Sequence, residues 1–502
     1  MTVVRLDSLA WLCLSALLAW SASGWFASEC AAAQTSAAPP TSLTLSACRL
    51  QNAASAAINA RCGWYDVAEN PRAPAGKHLR VRVAVVPALR RQPLPDPLFI
   101  ISGGPGQAAA DFYLSSAAAF ELVRRDRNLV IVDQRGTGAS NRLDCKLPDE
   151  LESARFDIES IKTSTRACLA TLPGDPRFYT TSVAVRDLDA IRAALGVDRI
   201  DLYGISYGTR VAQEYLRRYP AHVRALVLDG IVPVDVALGP EVAPAAQHAL
   251  DAILQRCERQ TACAAAFPHI ARDFANLNAK LTHGSVHVTI PDPQTAKQEA
   301  LEFGRLHLAA AVRLLSYSDV TAALLPFLIH EAAEDRPEVL AAQALLVSKS
   351  IGEQLANGMH NAVVCTEDVP FIGRDAETNA NADSYLGPYF LQSLRAMCSV
   401  WPRGVIDADF HRPFYSDTPA LLLSGANDPV TPVEYGERAA HDYRNGLHVV
   451  VPGQGHGQIN NACIARLMAH FIESGTVAGL GTECVARQIA APFMLNAATP
   501  GP

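Results

Sequence analysis

The stretch Arg199-Ile200-Asp201-Leu202-Tyr203-Gly204-Ile205-Ser206-Tyr207-Gly208-Thr209 decides how this chain is read. Residues 199–203 have the short apolar character of a buried strand, and residues 209–219 carry a helical pattern. Between them Gly204-Ile205-Ser206-Tyr207-Gly208 fits G-x-S-x-G. So short a pattern arises by chance often enough that its setting, strand then turn then helix, is what gives it weight. The turn it requires is sharp, so the positions flanking the serine must lack bulk. It lifts the Ser206 hydroxyl over the sheet edge at a helix N-terminus.

Working outward, short continuous apolar runs recur at residues 98–101, 129–132, 225–228, 420–423 and 447–451, as strands buried on both faces do. Leu79, Val81, Val83 and Val85 alternate with basic and small residues, the period-2 pattern of a strand with one solvated face. Residues 185–195 are helical in pattern, with Val185, Leu188, Ile191 and Leu195 on one side, Ser182 as a cap and Gly196 as a stop. Strands alternating with helices predict an α/β protein with a mostly parallel, doubly wound sheet. The alternation stops after Asp229 and resumes near Pro419. The Ala- and Leu-rich stretch between reads as a mainly helical cap inserted after the sixth core strand. A chain of 502 residues has room for both, since single cores usually stop growing at roughly 250–300 residues.

The expected division is residues 1–33 as an export signal, 34–78 as a linker and a disulfide-closed loop, and 79–235 as the first part of the core. Residues 236–412 form the cap, 413–485 the second part of the core and 486–502 a tail. The signal reading rests on Arg5, an apolar run over residues 9–20, and Ala31-Ala32-Ala33 before Gln34. That run is short of the ~20 residues a bilayer span needs, so no transmembrane helix is expected in the mature chain. Asp7 offsets Arg5, which leaves an uncleaved N-terminal anchor as the rival. Lipidation at Cys30 is disfavoured by Ala27-Ser28-Glu29 before it. Without Cys13 and Cys30 ten cysteines remain, as suits an oxidising compartment and a periplasmic or secreted protein. Neighbour pairing would join Cys48 with Cys62, Cys145 with Cys168, Cys257 with Cys263, Cys365 with Cys398 and Cys463 with Cys484. Ten cysteines admit on the order of a thousand connectivities, so the pairing stays open. Zinc is disfavoured, because no C-x₂-C pair and no H-E-x-x-H occurs. A net charge of −7 with no basic block argues against nucleic acid.

A serine hydroxyl needs a base to take its proton, and the base needs a third group to fix its tautomer. Downstream, the run at 420–423 leads to Asp428 and the run at 447–451 leads to His456, in the order Ser, acid, His and each after its own strand. Taken alone, Asp428 before a proline reads as a turn former and His456 between glycines as a loop residue; order and placement favour catalysis. His222, His360 and His470 read as packing or surface residues. Ser102-Gly103-Gly104-Pro105-Gly106 follows the run at 98–101, so the backbone N–H of Gly103 or Gly104, with that of Tyr207, can face an oxyanion. A phosphate cradle is the weaker reading of that loop, since no G-x-x-x-x-G-K-[S/T] is present. Asp133 and Arg135 read as a structural ion pair beneath the site, and Glu214 as solvated.

Gly103-Gly104-Pro105-Gly106, Asp133-Gln134-Arg135-Gly136-Thr137-Gly138, the Ser206 pentapeptide and the segment with Asp428 and His456 together resemble the proline iminopeptidase and tripeptidyl aminopeptidase-like α/β-hydrolases. The resemblance covers residues 80–235 and 415–475. It implies the α/β-hydrolase fold with a helical cap over a Ser-His-Asp site, an aminopeptidase acting on peptides, and no metal or organic cofactor. Proline iminopeptidases usually carry His before the two glycines, where Ser102 stands here, and the cap offers no stretch that aligns with theirs. An exopeptidase of this kind needs a carboxylate for the free α-amine, and Glu367-Asp368, in a loop held by a Cys365 disulfide, is the candidate. A solvated acidic pair is the plainer reading. The rival functions are an ester hydrolase with the same triad and a noncatalytic binding protein on a hydrolase scaffold; the oligomeric state is left open.

Overall fold

A computed structural model describes residues 43–52, 57–145, 156–292, 295–376 and 384–498, so the expected export signal lies outside the described residues. The strands in chain order are β1 (Ser46–Gln51), β2 (Ala57–Ala68), β3 (His78–Val86), β4 (Leu98–Ile101), β5 (Leu129–Val132), β6 (Ile200–Ile205) and β7 (Val223–Asp229). After them come β8 (Val286–Pro291), β9 (Gln298–Phe303), β10 (Ala420–Gly425) and β11 (Gly446–Val451). Nine of them make one sheet in the order β1-β2-β3-β5-β4-β6-β7-β10-β11. The pairs from β1 to β5 are antiparallel, and every pair from β5 onward is parallel.

The apolar runs are continuous because alternate side chains feed two different cores. Phe99, Val130, Leu202 and Leu226 pack with Val185, Ile191, Val211 and Tyr215 of α3 (Thr181–Ala194) and α4 (Tyr207–Arg218) on one face. Ile100, Ile131, Tyr203 and Val227 pack on the other with Phe112, Phe120, Met468 and Phe471. Those belong to α1 (Ala109–Arg124) and the last helix, Ala462–Ser474. Helix α2 (Ile158–Thr171) lies outside both sets.

Several local expectations are corrected. The stretch closed by Cys48 and Cys62 is an antiparallel hairpin of β1 and β2 that extends the sheet. The insertion therefore follows the seventh strand in chain order. In β3 only the first half has a solvated face, since Ala84 and Val86 are buried together with Val83 and Val85. Helix α3 starts one turn earlier than its apolar stripe suggests: Thr180 is the N-cap and Ser182 is inside.

Between β7 and β10 lies the mainly helical cap, with α5 (Val242–Arg259), α6 (Thr261–Ala266), α7 (Ile270–His283), α8 (Arg305–Leu315), α9 (Asp319–Ala322), α10 (Leu325–Ala333), α11 (Glu338–Gln354), α12 (Asn357–Glu367) and α13 (Tyr389–Cys398), plus the β8/β9 ribbon. It has its own apolar core, built from Leu250, Ile253, Leu277, Leu308, Val312 and Leu328 among others. Helix α12 begins on the glycine-rich loop after β4, where Ala356 N–H donates to the Gly106 carbonyl at 3.0 Å. Five disulfides join the neighbouring cysteines: 48 with 62, 145 with 168, 257 with 263, 365 with 398 and 463 with 484. Among the described residues no helix is long and apolar enough to cross a membrane.

Candidate active site

Ser206 joins β6 to α4 at φ 55°, ψ −126°, a conformation non-glycine residues rarely adopt. Close packing explains both flanking glycines. A Cβ on Gly204 would lie 2.4 Å from the Gly208 carbonyl oxygen, and one on Gly208 would lie 2.5 Å from the carbonyl oxygens of Ile101 and Ser102. The strained turn is held by Ser206 N–H donating to the Asp229 carbonyl at 2.8 Å and by Thr209 Oγ1 donating to the Ser206 carbonyl at 2.6 Å. Ser206 itself is partly exposed.

The loop after β10 carries Asp428, 2% exposed, whose Oδ1 accepts the backbone N–H groups of Val430 and Thr431, both at 2.8 Å. Its Oδ2 accepts Thr431 Oγ1 at 2.7 Å and His456 Nδ1 at 2.8 Å. With all its acceptor directions filled, the carboxylate has one orientation, and so does the imidazole. His456 comes from the loop after β11 and reaches the elbow from the side: a Cβ on its neighbour Gly457 would lie 2.8 Å from the Ile205 side chain, and one on Gly230 would lie 3.0 Å from His456 Cε1. Among the described residues no hydrogen bond joins Ser206 Oγ to His456. Catalytic contacts of this kind commonly tighten only with substrate in place.

Asp229 was missed in the sequence, and it ties the two loops together. Fully buried at the end of β7, it accepts the N–H groups of Gln458 at 2.8 and 2.9 Å and of Ile459 at 3.0 Å, and the Tyr203 hydroxyl at 2.8 Å. Its carbonyl holds Ser206. Burial pushes its carboxyl up to about 6 against those hydrogen bonds. The His456 imidazole is lowered by burial, but the charge and hydrogen bond of Asp428 and the charge of Asp229 outweigh this, and the net lies above the ordinary histidine value.

Gly103 is buried against the serine; a Cβ there would lie 3.0 Å from Ser206 Cβ and 3.6 Å from its Oγ. Gly104 is exposed one residue on. Tyr207 opens α4, where backbone N–H groups have no intrahelical acceptor. Its ring is buried, with Gln134 Nε2 donating to its hydroxyl at 3.1 Å and Thr181 Oγ1 at 2.6 Å from it. The arrangement can deliver a serine oxygen to a carbonyl, remove its proton and offer donors to the resulting oxyanion.

Glu367 and Asp368 end α12 and are buried, 0% and 1% exposed, in place of the solvated loop pair expected. Glu367 accepts one hydrogen bond on each oxygen, from Thr181 N–H and Oγ1 at 2.7 and 2.8 Å. Asp368 Oδ1 pairs with Arg210 Nη1 at 2.8 Å and accepts Leu238 N–H, while Oδ2 is buried without a partner. Asp133 and Arg135 are structural, yet they are not paired with each other. Asp133 accepts the N–H groups of Ala110 and Ala139, and Arg135 forks onto Asp187 at 2.6 and 2.8 Å. Glu214 is 1% exposed and pairs with Arg217 and Arg218. His222 pairs with Asp189, and His360 stands on α12 beside the Pro105 carbonyl.

Fold and site together define a serine hydrolase of α/β-hydrolase fold. Residues 96–300 match the alpha/beta hydrolase fold family and residues 383–484 match the TAP-like protein family. It is 25% identical over 435 residues to the serine protease Hip1 of Mycobacterium tuberculosis, covering 77% of this chain and 80% of that one. It is 29% identical over 189 residues to the tripeptidyl aminopeptidase of Streptomyces coelicolor, 34% of this chain and 35% of the other. A third relative, carboxylesterase B of M. tuberculosis, is 26% identical over 465 residues, 85% of this chain and 86% of the other.

Proposed function

We propose that this protein is an exported serine peptidase of the aminopeptidase type. Ser206 attacks the carbonyl of a peptide bond near a free N-terminus, and His456 takes its proton and returns it to the leaving amine. Asp428 holds the imidazole, and the N–H groups of Tyr207 and of Gly103 or Gly104 stabilise the tetrahedral oxyanion. Water then hydrolyses the acyl-enzyme. The observation that carries this is the 2.8 Å hydrogen bond from His456 to a fully anchored Asp428, beside a serine in the strained elbow conformation. Likeness to a serine protease and a tripeptidyl aminopeptidase supports peptides as substrates, and five disulfides support export. For the substrate ammonium the candidate is the acidic pair Glu367 and Asp368, and the buried Asp368 Oδ2 without a hydrogen-bond partner supports it.

The second reading is ester hydrolysis by the same residues, favoured by the extended match to carboxylesterase B. A panel of free-amine and N-blocked mono-, di- and tripeptide chromogenic amides with short- and long-chain esters separates the two. The peptidase reading expects turnover of free-amine amides, little of blocked ones, and none by Ser206→Ala. Turnover of esters alone would overturn it in favour of the second.

A further inference from the structure

The chemistry above leaves one charge beside the site without a task. Tyr317 follows α8, and its ring meets the His456 imidazole edge-on with centroids 5.2 Å apart, while its carbonyl accepts His456 N–H at 2.7 Å. One turn earlier stands Arg313, whose Nη2 donates to the Tyr317 hydroxyl at 3.2 Å. Its guanidinium lies 5.1 Å from the Phe390 ring and 5.7 Å from the Tyr317 ring. The charge of Arg313 works against protonation of His456 and against the burial that raises the pKa of Tyr317.

Arg313 is partly buried, whereas the fully buried arginines Arg127, Arg135 and Arg210 are paired with Asp96, Asp187 and Asp368. Among the described residues no carboxylate pairs with Arg313, and its Nε is buried without a hydrogen-bond partner. A guanidinium without a carboxylate, held against the ring that packs on the catalytic histidine, can take up an anion.

We propose that Arg313 forms a subsite for a carboxylate carried by the substrate. The proposal rests on the peptidase reading and sharpens it. His456 protonates the departing amine, so the carboxylate belongs to the departing part of the peptide. It is supplied either by the α-carboxylate of a short released product or by an acidic side chain just after the scissile bond. Arg313 forks onto it as guanidinium does onto carboxylate, with charge-assisted hydrogen bonds.

The test compares wild type with Arg313→Met and Arg313→Lys on matched free-amine peptides cut at one bond. One pair ends in a free carboxylate or in its amide; a second, amidated throughout, has Asp or Asn after the scissile bond. Wild type is expected to favour the charged member of at least one pair by roughly tenfold or more in kcat/KM. Which pair responds identifies the source of the carboxylate. Arg313→Met should bring that ratio near one and Arg313→Lys should retain part of it. A wild-type ratio near one in both pairs, or a ratio that survives in Arg313→Met, overturns the proposal. Labelling of Ser206 by a fluorophosphonate confirms that each variant is folded, and if the Met variant is not, the Lys variant's ratio decides. If no peptide is cut while esters are, the peptidase reading fails by itself. Esters whose alcohol part carries a carboxylate or its amide then test the subsite alone.

Discussion

At His456 two influences oppose each other, and the sum sets a measurable pH. Burial disfavours the imidazolium, Asp428 and Asp229 favour it more strongly, and the pKa is raised above 6.5. The neutral base therefore gains population only above that value, so kcat/KM should rise with pH through a midpoint above 6.5, read from a pH–rate profile. Asp428→Asn removes the nearer charge, and should move that midpoint down and lower kcat by roughly 10⁴. An unmoved midpoint would contradict the pairing. Glu367 carries a second pH effect. Burial raises its carboxyl from 4.5 to about 8 against the nearby charge of Arg210. Between those values the folded chain holds a proton that the unfolded chain has released, so this group's contribution is complete below about 4.5 and is lost as pH rises through about 8. Glu367→Gln should flatten that decline, seen as denaturant midpoints at about pH 5 and about pH 8 that draw together relative to wild type. Ser206, Asp428 and His456 are legible in the sequence because each stands a fixed short step beyond an apolar strand. Asp229 is not, because its partner Gln458 lies 229 residues away and no local pattern announces it. Arg313 and Tyr317 escape for the same reason, and the buried state of Glu367 depends on Thr181, 186 residues earlier.

The elbow is the element on which everything else is aligned. Gly208 lets α4 pass against the chain leaving β4, where a methyl group would stand 2.5 Å from two carbonyl oxygens. Gly208→Ala must push the Gly103-Gly104 loop away from Ser206. The expected result is a lower melting temperature together with a fall in kcat larger than any change in KM, since the displaced donors act on the oxyanion; losing one such donor costs roughly 10²–10³ in kcat. Unaltered kcat in a folded Gly208→Ala protein would contradict this role. Strand and helix identity around the elbow is readable because the two-sided burial of β4 to β7 leaves unbroken apolar runs. The β1/β2 hairpin is harder to read, since exposed and buried positions alternate irregularly there, as in Ala57–Ala68 with its adjacent buried Cys62 and Gly63. A cysteine pair bracketing such a segment suggests a loop, although a disulfide across two antiparallel strands is equally compatible.

Over the whole molecule, the cap reaches the catalytic loops through α12 and, at Tyr317, through the turn after α8. Helix α12 starts on the Gly106 carbonyl, ends in the Glu367 and Asp368 contacts, and is joined to α13 by the bond between Cys365 and Cys398. That disulfide spans 33 residues, so in the chain-entropy account its removal in a Cys365→Ala/Cys398→Ala protein should cost about 3–4 kcal/mol, measured by denaturant unfolding. It should cost more than removal of the bond between Cys257 and Cys263, which spans only 6. The insertion itself is visible in the sequence as a break in the strand-helix alternation. Its internal arrangement is not, because a helical cap built from Ala and Leu admits many packings and its polar contacts to the core are all long-range. The central claim, that Ser206 is acylated with His456 as its base, is tested most directly by locating the adduct of a fluorophosphonate by peptide mass spectrometry. A single adduct is expected on Ser206, formed much more slowly in His456→Ala and absent in Ser206→Ala together with all hydrolysis. An adduct on another residue, or hydrolysis that persists in Ser206→Ala, would contradict it.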